Sequence, residues 1–553
     1  MNKKKILNEY VVQGFLDDYK VDVALKISDG SHHDIEDIIL ACGFVSSNNI
    51  AQVRAKRFKL HYVDLSKFIP DNQALSLIPR NKALEYTILP LMIQDDELMV
   101  AIDEYVDFKH QEYLEEVSNR KIKYVVCSKK HILHHLITHP YYAEDDEIKH
   151  ILEVIKEKSQ VNIKELVDLF IEDAIEDNAS DIHISPEETI VNIFYRVDGV
   201  LVHYHTLPIE FIDRFVSKIK TMCQLDIKEK KLPQDGQFDY KYMETEFKFR
   251  VSTINTINGE NIVLRILKNE ALELDIDHLG LTEENRNLLK NISKQPNGLV
   301  LLTGPTGSGK TTTLYSVLKE IDSLRKNVLT VEDPIEYQLP FIKQTQIDIE
   351  AGYKFDVAIR AFLRQDPDVI LVGEIRDEQT ATQAIRASMT GHLVLSTLHT
   401  NDSVGALARI LDLGIKEYLV GSATLAIIAQ RLVRKLCKYC KVKVNNPEQE
   451  IKKWRVNEEL LEGVKDVTIY EAKGCSKCSN TGYHSREVIV EILQIDKYLE
   501  DMITSSQNSL DILNYAKSKG MLTMLDDAHL KVLTGTTTFQ EIDRVLLDSR
   551  FYG

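Results

Sequence analysis

The chain has 553 residues, 44% of them apolar and 28% charged, so it is not a disordered, collagen-like or disulfide-scaffold protein. Lysine and arginine number 68 against 85 aspartate and glutamate, a net charge of −17, which argues against a general electrostatic grip on nucleic acid. At roughly 100–200 residues per domain, the length predicts about three to five domains.

Met1 to Tyr10 carries three lysines with no apolar stretch behind them, so no signal peptide is read. The longest uncharged apolar-rich run, Tyr418 to Gln430, is too short to span a bilayer. The protein is therefore expected in the cytosol, with any membrane role exercised through a partner. Residues 1–142 read as a small α/β module, in which Leu89–Ile93 and Leu98–Ile102 are short strands around an Asp95-Asp96 turn. Residues 143–160 form a charged stretch that reads as a linker. A second α/β domain is expected over 161–275. It opens with a helix capped by Asn162, with Glu165 in capping-box position, and with Ile163, Leu166, Val167, Phe170, Ile171, Ala174 and Ile175 on one buried face. Strands follow at Asp181–Ser185, Ile190–Arg196, Phe247–Ser252 and Asn261–Leu267.

From about 276 to 553 the pattern changes. Leu299–Leu302, Val328–Val331, Val369–Val372 and Leu393–Ser396 are short apolar runs of the kind that form fully buried parallel strands. After the first of them, Gly304, Pro305, Thr306, Gly307, Ser308, Gly309, Lys310 and Thr311, followed by Thr312, match the G-x-x-x-x-G-K-[ST] pattern. The glycines let backbone N–H groups wrap phosphates, Lys310 supplies positive charge, Thr311 offers a hydroxyl to Mg²⁺, and the following helix adds its dipole. ATP and Mg²⁺ are the cofactors this implies. Hydrolysis also needs carboxylates near the metal and the water. Glu332 and Glu374 each follow a strand-like run, where ligand-facing residues sit in an open α/β sheet. Considered alone, each is equally a solvated loop acid, and His399, just past Leu393–Ser396, is equally a structural histidine.

Of seven cysteines, Cys42, Cys127 and Cys223 stand apart. Cys437 with Cys440 and Cys475 with Cys478 form two C-x-x-C pairs, the four thiolates of a closed structural Zn²⁺ site. Two unrelated pairs, or a redox pair, are the alternatives, and no βαβ pattern surrounds them to favour redox chemistry. The long gap implies a small subdomain over 437–478.

Further motifs resemble one family, the type II secretion and type IV pilus assembly ATPases (the GspE/PilB group). Thr330–Tyr337 resembles its Asp box, Leu363–Asp377 its Walker B segment and Thr390–Asp402 its His box, while Gln430–Cys437 leads into its zinc module. Ala179–Ile184, Tyr195–Gly199, Leu232–Gln237 and Arg250–Thr253 resemble its second domain. The resemblance implies a multidomain α/β fold: a RecA-like P-loop core with a zinc-binding subdomain, preceded by a PAS-like domain and an N-terminal α/β module. It implies that Glu332 is the general base or orients the water, that Glu374 helps hold Mg²⁺, and that His399 senses the γ-phosphate or couples it to domain movement. The second domain would close over the nucleotide and present Arg196, Arg250 and Arg265 to its phosphates. The alternative is that these arginines pair with acids across the domain interface.

The implied protein is a cytoplasmic ATPase motor, a hexameric ring acting on an inner-membrane platform protein. It would drive assembly of a pilus or secretion pseudopilus, without nucleic acid and without direct membrane insertion. A retraction ATPase is one alternative, but such enzymes resemble only the last two domains and lack the C-x-x-C pairs. A RecA-like nucleic-acid motor is disfavoured by the acidic balance and the lack of basic or aromatic stripes. A dead nucleotide sensor is disfavoured by the intact Lys310, Glu332 and Glu374. Residues 34–60 resemble the family's N-terminal helical module, which in some members binds cyclic di-GMP. Here Asp34-Ile35-Glu36 replaces the arginine and glycine of that motif, so cyclic di-GMP binding is not expected. The turn after Cys478, Gly482–Val488, also lacks two glycines of the family pattern.

Overall fold

The computed structural model describes residues 3–29, 33–66, 68–138, 163–243, 245–268, 275–464 and 466–546. They fall into two compact units, Met1–Leu272 and Glu273–Gly553. The charged stretch 143–160 and the cap residue Asn162 lie outside the described residues.

The first unit begins with short helices, including Lys3–Val12, Ile35–Ala41 and Ser47–Phe58. A small sheet follows, of strands β1 (Ile88–Gln94), β2 (Glu97–Ile102) and β3 (Lys121–Val126) in that order. Asp95 and Asp96 both have positive φ, 51° and 66°, which a two-residue hairpin needs to match strand twist. Glu36 is buried. Its carboxylate accepts from Tyr10 Oη at 2.7 Å, Arg54 Nε at 2.9 Å and Arg57 at 2.8 Å, and Arg54 reaches on to Asp103 at 3.1 Å. The acid that breaks the motif at this position thus ties the helices to the end of β2.

The second part of this unit is a six-stranded antiparallel sheet. Its strands are β4 (Asp181–Pro186), β5 (Ile190–Val197), β6 (Val200–Pro208), β7 (Gln234–Tyr242), β8 (Thr245–Thr256) and β9 (Gly259–Lys268), in the order β6-β5-β4-β9-β8-β7. Helix Ile163–Glu176 buries the seven apolar residues expected of it against this sheet, together with Phe215, Val216 and Ile219 of helix Ile212–Met222. Strands β6 and β7 were not expected. The β7 sequence, QDGQFDYKY, carries little apolar signal, and in β6, VLVHYHTLP, Leu201 is exposed and a register shift between His205 and His203 interrupts the alternation.

The second unit is built on a seven-stranded sheet: β10 (Gly298–Thr303), β11 (Val328–Glu332), β12 (Lys343–Gln346), β13 (Val369–Val372), β14 (Leu393–Leu398), β15 (Thr424–Leu436) and β18 (Tyr483–Gln494). Its order is β12-β11-β13-β14-β10-β15-β18. All neighbours are parallel except β15 and β18. Strands β10, β11, β13 and β14 are buried along their whole length, because both faces are covered, and this is why they read as unbroken apolar runs. Between Cys440 and Cys475 lie the strand pair β16 (Val442–Lys443) and β17 (Tyr470–Glu471) and two short helices. Val456, Leu460 and Ile469 of this stretch pack with Val532, Phe539 and Ile542 of the last helices. Among the described residues no helix is long and apolar enough to cross a membrane.

Candidate active site

Strand β10 delivers the chain into the 304–309 loop, and helix Lys310–Lys319 leaves it. Gly304 has φ +152°, and a Cβ there would lie 2.5 Å from the Gln430 carbonyl oxygen. Gly309, the residue before the helix, has φ +85°. A side chain is therefore excluded by contact at the first position and by backbone strain at the second. Lys310 folds back on its own loop, where Nζ donates to the carbonyls of Gly304 at 2.7 Å and Pro305 at 3.0 Å. Burial, and then the nearby positive charge of Arg431, bring its ammonium down to about 8 against an opposing pull from Glu374. Two cations near one another are a cost that an anion placed between them removes. Thr311 and Thr312 at the start of the helix are exposed.

The C-terminal ends of the parallel strands surround this loop in the sheet order. Glu374, two residues past β13, is 9% exposed and pairs with Arg376 at 2.5 Å and with His399 Nε2 at 3.4 Å. Thr397 Oγ1 donates to the Gly373 carbonyl at 2.7 Å, and the hydroxyls of Thr303 and Thr400 meet at 2.7 Å. These bonds fix the His399 segment to the Glu374 segment and to the P-loop strand. Glu332, the last residue of β11, is 4% exposed. Its carboxylate takes the Tyr315 hydroxyl, Thr330 Oγ1 at 2.5 Å and Gln344 Nε2 at 3.2 Å. The two acids therefore turn to different partners: Glu374 to the exposed side chains of Arg376 and His399, Glu332 to neutral donors, of which Tyr315 and Thr330 are buried.

Several contributors were not singled out by the sequence reading. Gln430, fully buried on β15, donates to the Ser308 carbonyl at 2.7 Å. Arg431 beside it donates to Asn401 Oδ1 at 3.0 Å. Arg376 is two residues from Glu374 in a quoted motif, so spacing could have flagged it. Tyr315 lies on the helix expected after the P-loop, and nothing in the local pattern marks it or Gln344.

The three arginines lie on the first unit's sheet. Asp181 on β4 stands opposite Arg196 on β5 and Arg265 on β9, and Arg265 stands opposite Arg250 on β8. Directly opposed residues share a face, so the four form one row across neighbouring strands. Asp181 accepts from Arg265 Nε at 2.9 Å and lies 3.6 Å from Arg196 Nε. At least two of the arginines thus have an acidic partner inside their own unit.

The four paired cysteines converge. Their sulfurs all lie within 4.8 Å of one another, with separations of 4.0 Å for Cys437 to Cys475, 3.8 Å for Cys440 to Cys478 and 3.7 Å for Cys475 to Cys478. Four thiolates at 2.3 Å from a tetrahedral Zn²⁺ would stand about 3.8 Å apart, so the donor set fits that ion. Burial raises the Cys437 thiol to about 12. At Cys478 burial is outweighed by the backbone N–H groups of Cys475 and Gly482, which hold its thiol below the usual value. The altered turn after Cys478 still provides the Gly482 N–H donor, at 3.2 Å.

Two family models match the chain, and the larger one spans parts of both units. The family model described as Type II/IV secretion system protein matches residues 156–544, and the MshEN domain model matches 58–148, mostly beyond the 34–60 stretch singled out in the sequence. Type II secretion system protein E of Pseudomonas aeruginosa is 41% identical over 403 residues, 72% of this chain and 78% of that protein. Type IV pilus assembly ATPase PilB of Thermus thermophilus is 34% identical over 527 residues, 92% of this chain and 58% of its own length. Among solved structures, the Yersinia pseudotuberculosis ATPase DotB covers 71% of this chain and 95% of its own with a TM-score of 0.51 at 21% identity, a likeness of fold with a RecA-like core. The chain belongs to the Type II/IV secretion system protein family and is an ATP hydrolase.

Proposed function

We propose that the chain is the cytoplasmic motor of a pilus-assembly or type II secretion machine, working as a hexameric ring against an inner-membrane platform protein. The observation that carries the chemistry is the convergence of Lys310, Glu374, Arg376 and His399 at the C-terminal ends of adjacent parallel strands. Kinship with a secretion protein E and a pilus assembly ATPase supports the job.

Gly304 through Thr312 cradle the phosphates of ATP, and Lys310 gives up its loop carbonyls for them. Thr311 and Glu374 are the groups that would hold Mg²⁺, which spreads the charge developing on the phosphate oxygens. His399, 3.4 Å from the Glu374 carboxylate, senses the γ-phosphate or couples it to domain movement. Glu332 sets the attacking water, directly or through the loop it anchors. Arg196, Arg250 and Arg265 add positive charge to the phosphates in the assembled ring. Cys437, Cys440, Cys475 and Cys478 hold a structural Zn²⁺ that closes the 437–478 subdomain.

The test is a pull-down of the Glu374→Gln protein from native membranes, with mass spectrometry of its companions and metal analysis of the same preparation. A polytopic platform protein and one Zn²⁺ per chain are expected. Recovery of only soluble or nucleic-acid proteins would overturn the motor reading, and a zinc-free folded chain would overturn the four-thiolate site.

A further inference from the structure

We infer that Tyr315 and Gln344 are positioning residues that brace the P-loop helix against the acidic loop after β11, with the Glu332 carboxylate joining them. The inference deepens the proposed function and rests on the role given there to Glu332.

Tyr315 lies five residues past Lys310 on the same helix and is 1% exposed. Its hydroxyl donates to Glu332 Oε2. Burial, and then the Glu332 charge, push that hydroxyl well above its ordinary range, so it stays protonated and remains a donor. Gln344 approaches from the edge strand β12. Its Nε2 donates to Glu332 Oε1 at 3.2 Å and to the Tyr337 carbonyl at 2.9 Å, and its Oε1 accepts from the Leu339 N–H at 2.6 Å. Gln346, two residues on, accepts from the Ile335 N–H at 3.3 Å. The rings of Tyr315 and Tyr337 meet edge to face at 6.0 Å.

These bonds have a common effect. The chain from Glu332 to Leu339 is tied by a side chain at its start and by backbone groups at 335, 337 and 339. Asp333 and Glu336 lie between the tied points. A carboxylate has about four acceptor positions, and here Tyr315, Thr330 and Gln344 take three of them. Its direction is therefore set, and one position is left. Because Tyr315 belongs to the helix that starts at Lys310, any movement of that helix on phosphate binding is passed to the acidic loop through one hydroxyl. A misplacement of about 1 Å in such a loop costs about 10²-fold in rate.

The test uses the full-length chain with Tyr315→Phe, Gln344→Leu and both together, measuring ATP turnover, KM for ATP and the affinity for a fluorescent ADP. Each single variant is expected to lower kcat by about 10–100-fold, with KM and ADP affinity within about threefold, because the phosphate loop itself is untouched. The double variant should lose little more than the worse single one, since the two residues serve one network. A purely structural staple would lower the melting temperature and leave kcat at 25 °C unchanged. Turnover within threefold of wild type in both single variants, or a raised KM at unchanged kcat, overturns the inference. Gln344→Leu lies on an edge strand and carries the test alone if Tyr315→Phe fails to fold. Glu332→Gln separates the two ideas: wild-type turnover there overturns the role of Glu332, whereas wild-type turnover in the tyrosine and glutamine variants overturns only the brace.

Discussion

The two large sheets place their charged groups differently. In the parallel sheet of the second unit they stand at strand ends: the P-loop follows β10, Glu332 ends β11, Glu374 follows β13 and His399 follows β14. The strands themselves are apolar and buried. In the antiparallel sheet of the first unit they stand within the strands, with Arg196, Asp181, Arg265 and Arg250 side by side in register. Its helix-covered face is not purely apolar either. Asp173 accepts from the Tyr195 hydroxyl at 3.0 Å and meets His205 at 3.1 Å, and Asp177 lies within the same charged group. A parallel sheet with both faces covered has only its ends free for chemistry. An antiparallel sheet with one open face can display chemistry anywhere along a strand.

The contrast breaks first, and with the largest effect, at Lys310. It is the one cation of the P-loop, and Lys310→Ala should lower kcat by at least about 10²–10³-fold, the cost of removing a preorganised group from developing phosphate charge. Steady-state turnover checks this directly. Wild-type activity in that variant would mean that the strand ends of the parallel sheet are not where the reaction occurs.

The polar cluster under the antiparallel sheet is next. Burial, and then the charges of Asp173 and Glu176, raise the Asp177 carboxyl from 3.8 to about 6, against the pull of Tyr204 and His205. A raised acid prefers its protonated form in the folded state. Folding then costs nothing extra below about pH 3.8, loses stability as pH rises from there to about 6, and carries the full penalty above. That penalty is at most about 3 kcal/mol. Asp177→Asn should therefore raise the urea midpoint at pH 8 and leave it unchanged near pH 4. A gain of the same size at both pH values would show that the charge is not what costs stability.

How much of this is legible without the structure follows from the same contrast. The four unbroken apolar runs announce the central parallel strands, and the motifs sit at their ends, so Lys310, Glu332, Glu374 and His399 are found by reading forward from each run. The edge strand β12, KQTQ, has no apolar signal, and Gln344 is hidden with it. The run Tyr418 to Gln430 is apolar but divides into helix Glu417–Ala423 and the start of β15, so periodicity does not reveal the strand that carries Gln430 and Arg431. In the antiparallel sheet the arginines can be picked out by motif. Their alignment depends on register, which comes from pairings up to 84 residues apart. Asp181 appears in a quoted motif, yet nothing local says that it faces two arginines.

Asp181 sharpens the comparison at the smallest scale. Its side chain is 6% exposed, whereas those of Arg196 and Arg265 are 36% and 61% exposed. The acid is thus fixed by its strand and by the Ser180 hydroxyl at 2.7 Å, and the arginines lean on it. Replacing it with asparagine keeps the shape and removes the charge. The guanidinium groups of Arg196 and Arg265 then repel one another, and Arg250 stands beside Arg265 in the row. If the row serves phosphate, losing its alignment should lower kcat/KM by about tenfold, equivalent to about 1.4 kcal/mol. The loss should shrink as salt screens the repulsion over a Debye length of about 10 Å at 0.1 M. The melting temperature should move little, because the arginine charges left without a carboxylate are solvent-exposed and are not stranded in the interior. Turnover in Asp181→Asn that equals wild type at low salt would mean that register in this sheet organises charge without serving the reaction. The strand ends of the parallel sheet would then carry the reaction without the alignment of this row.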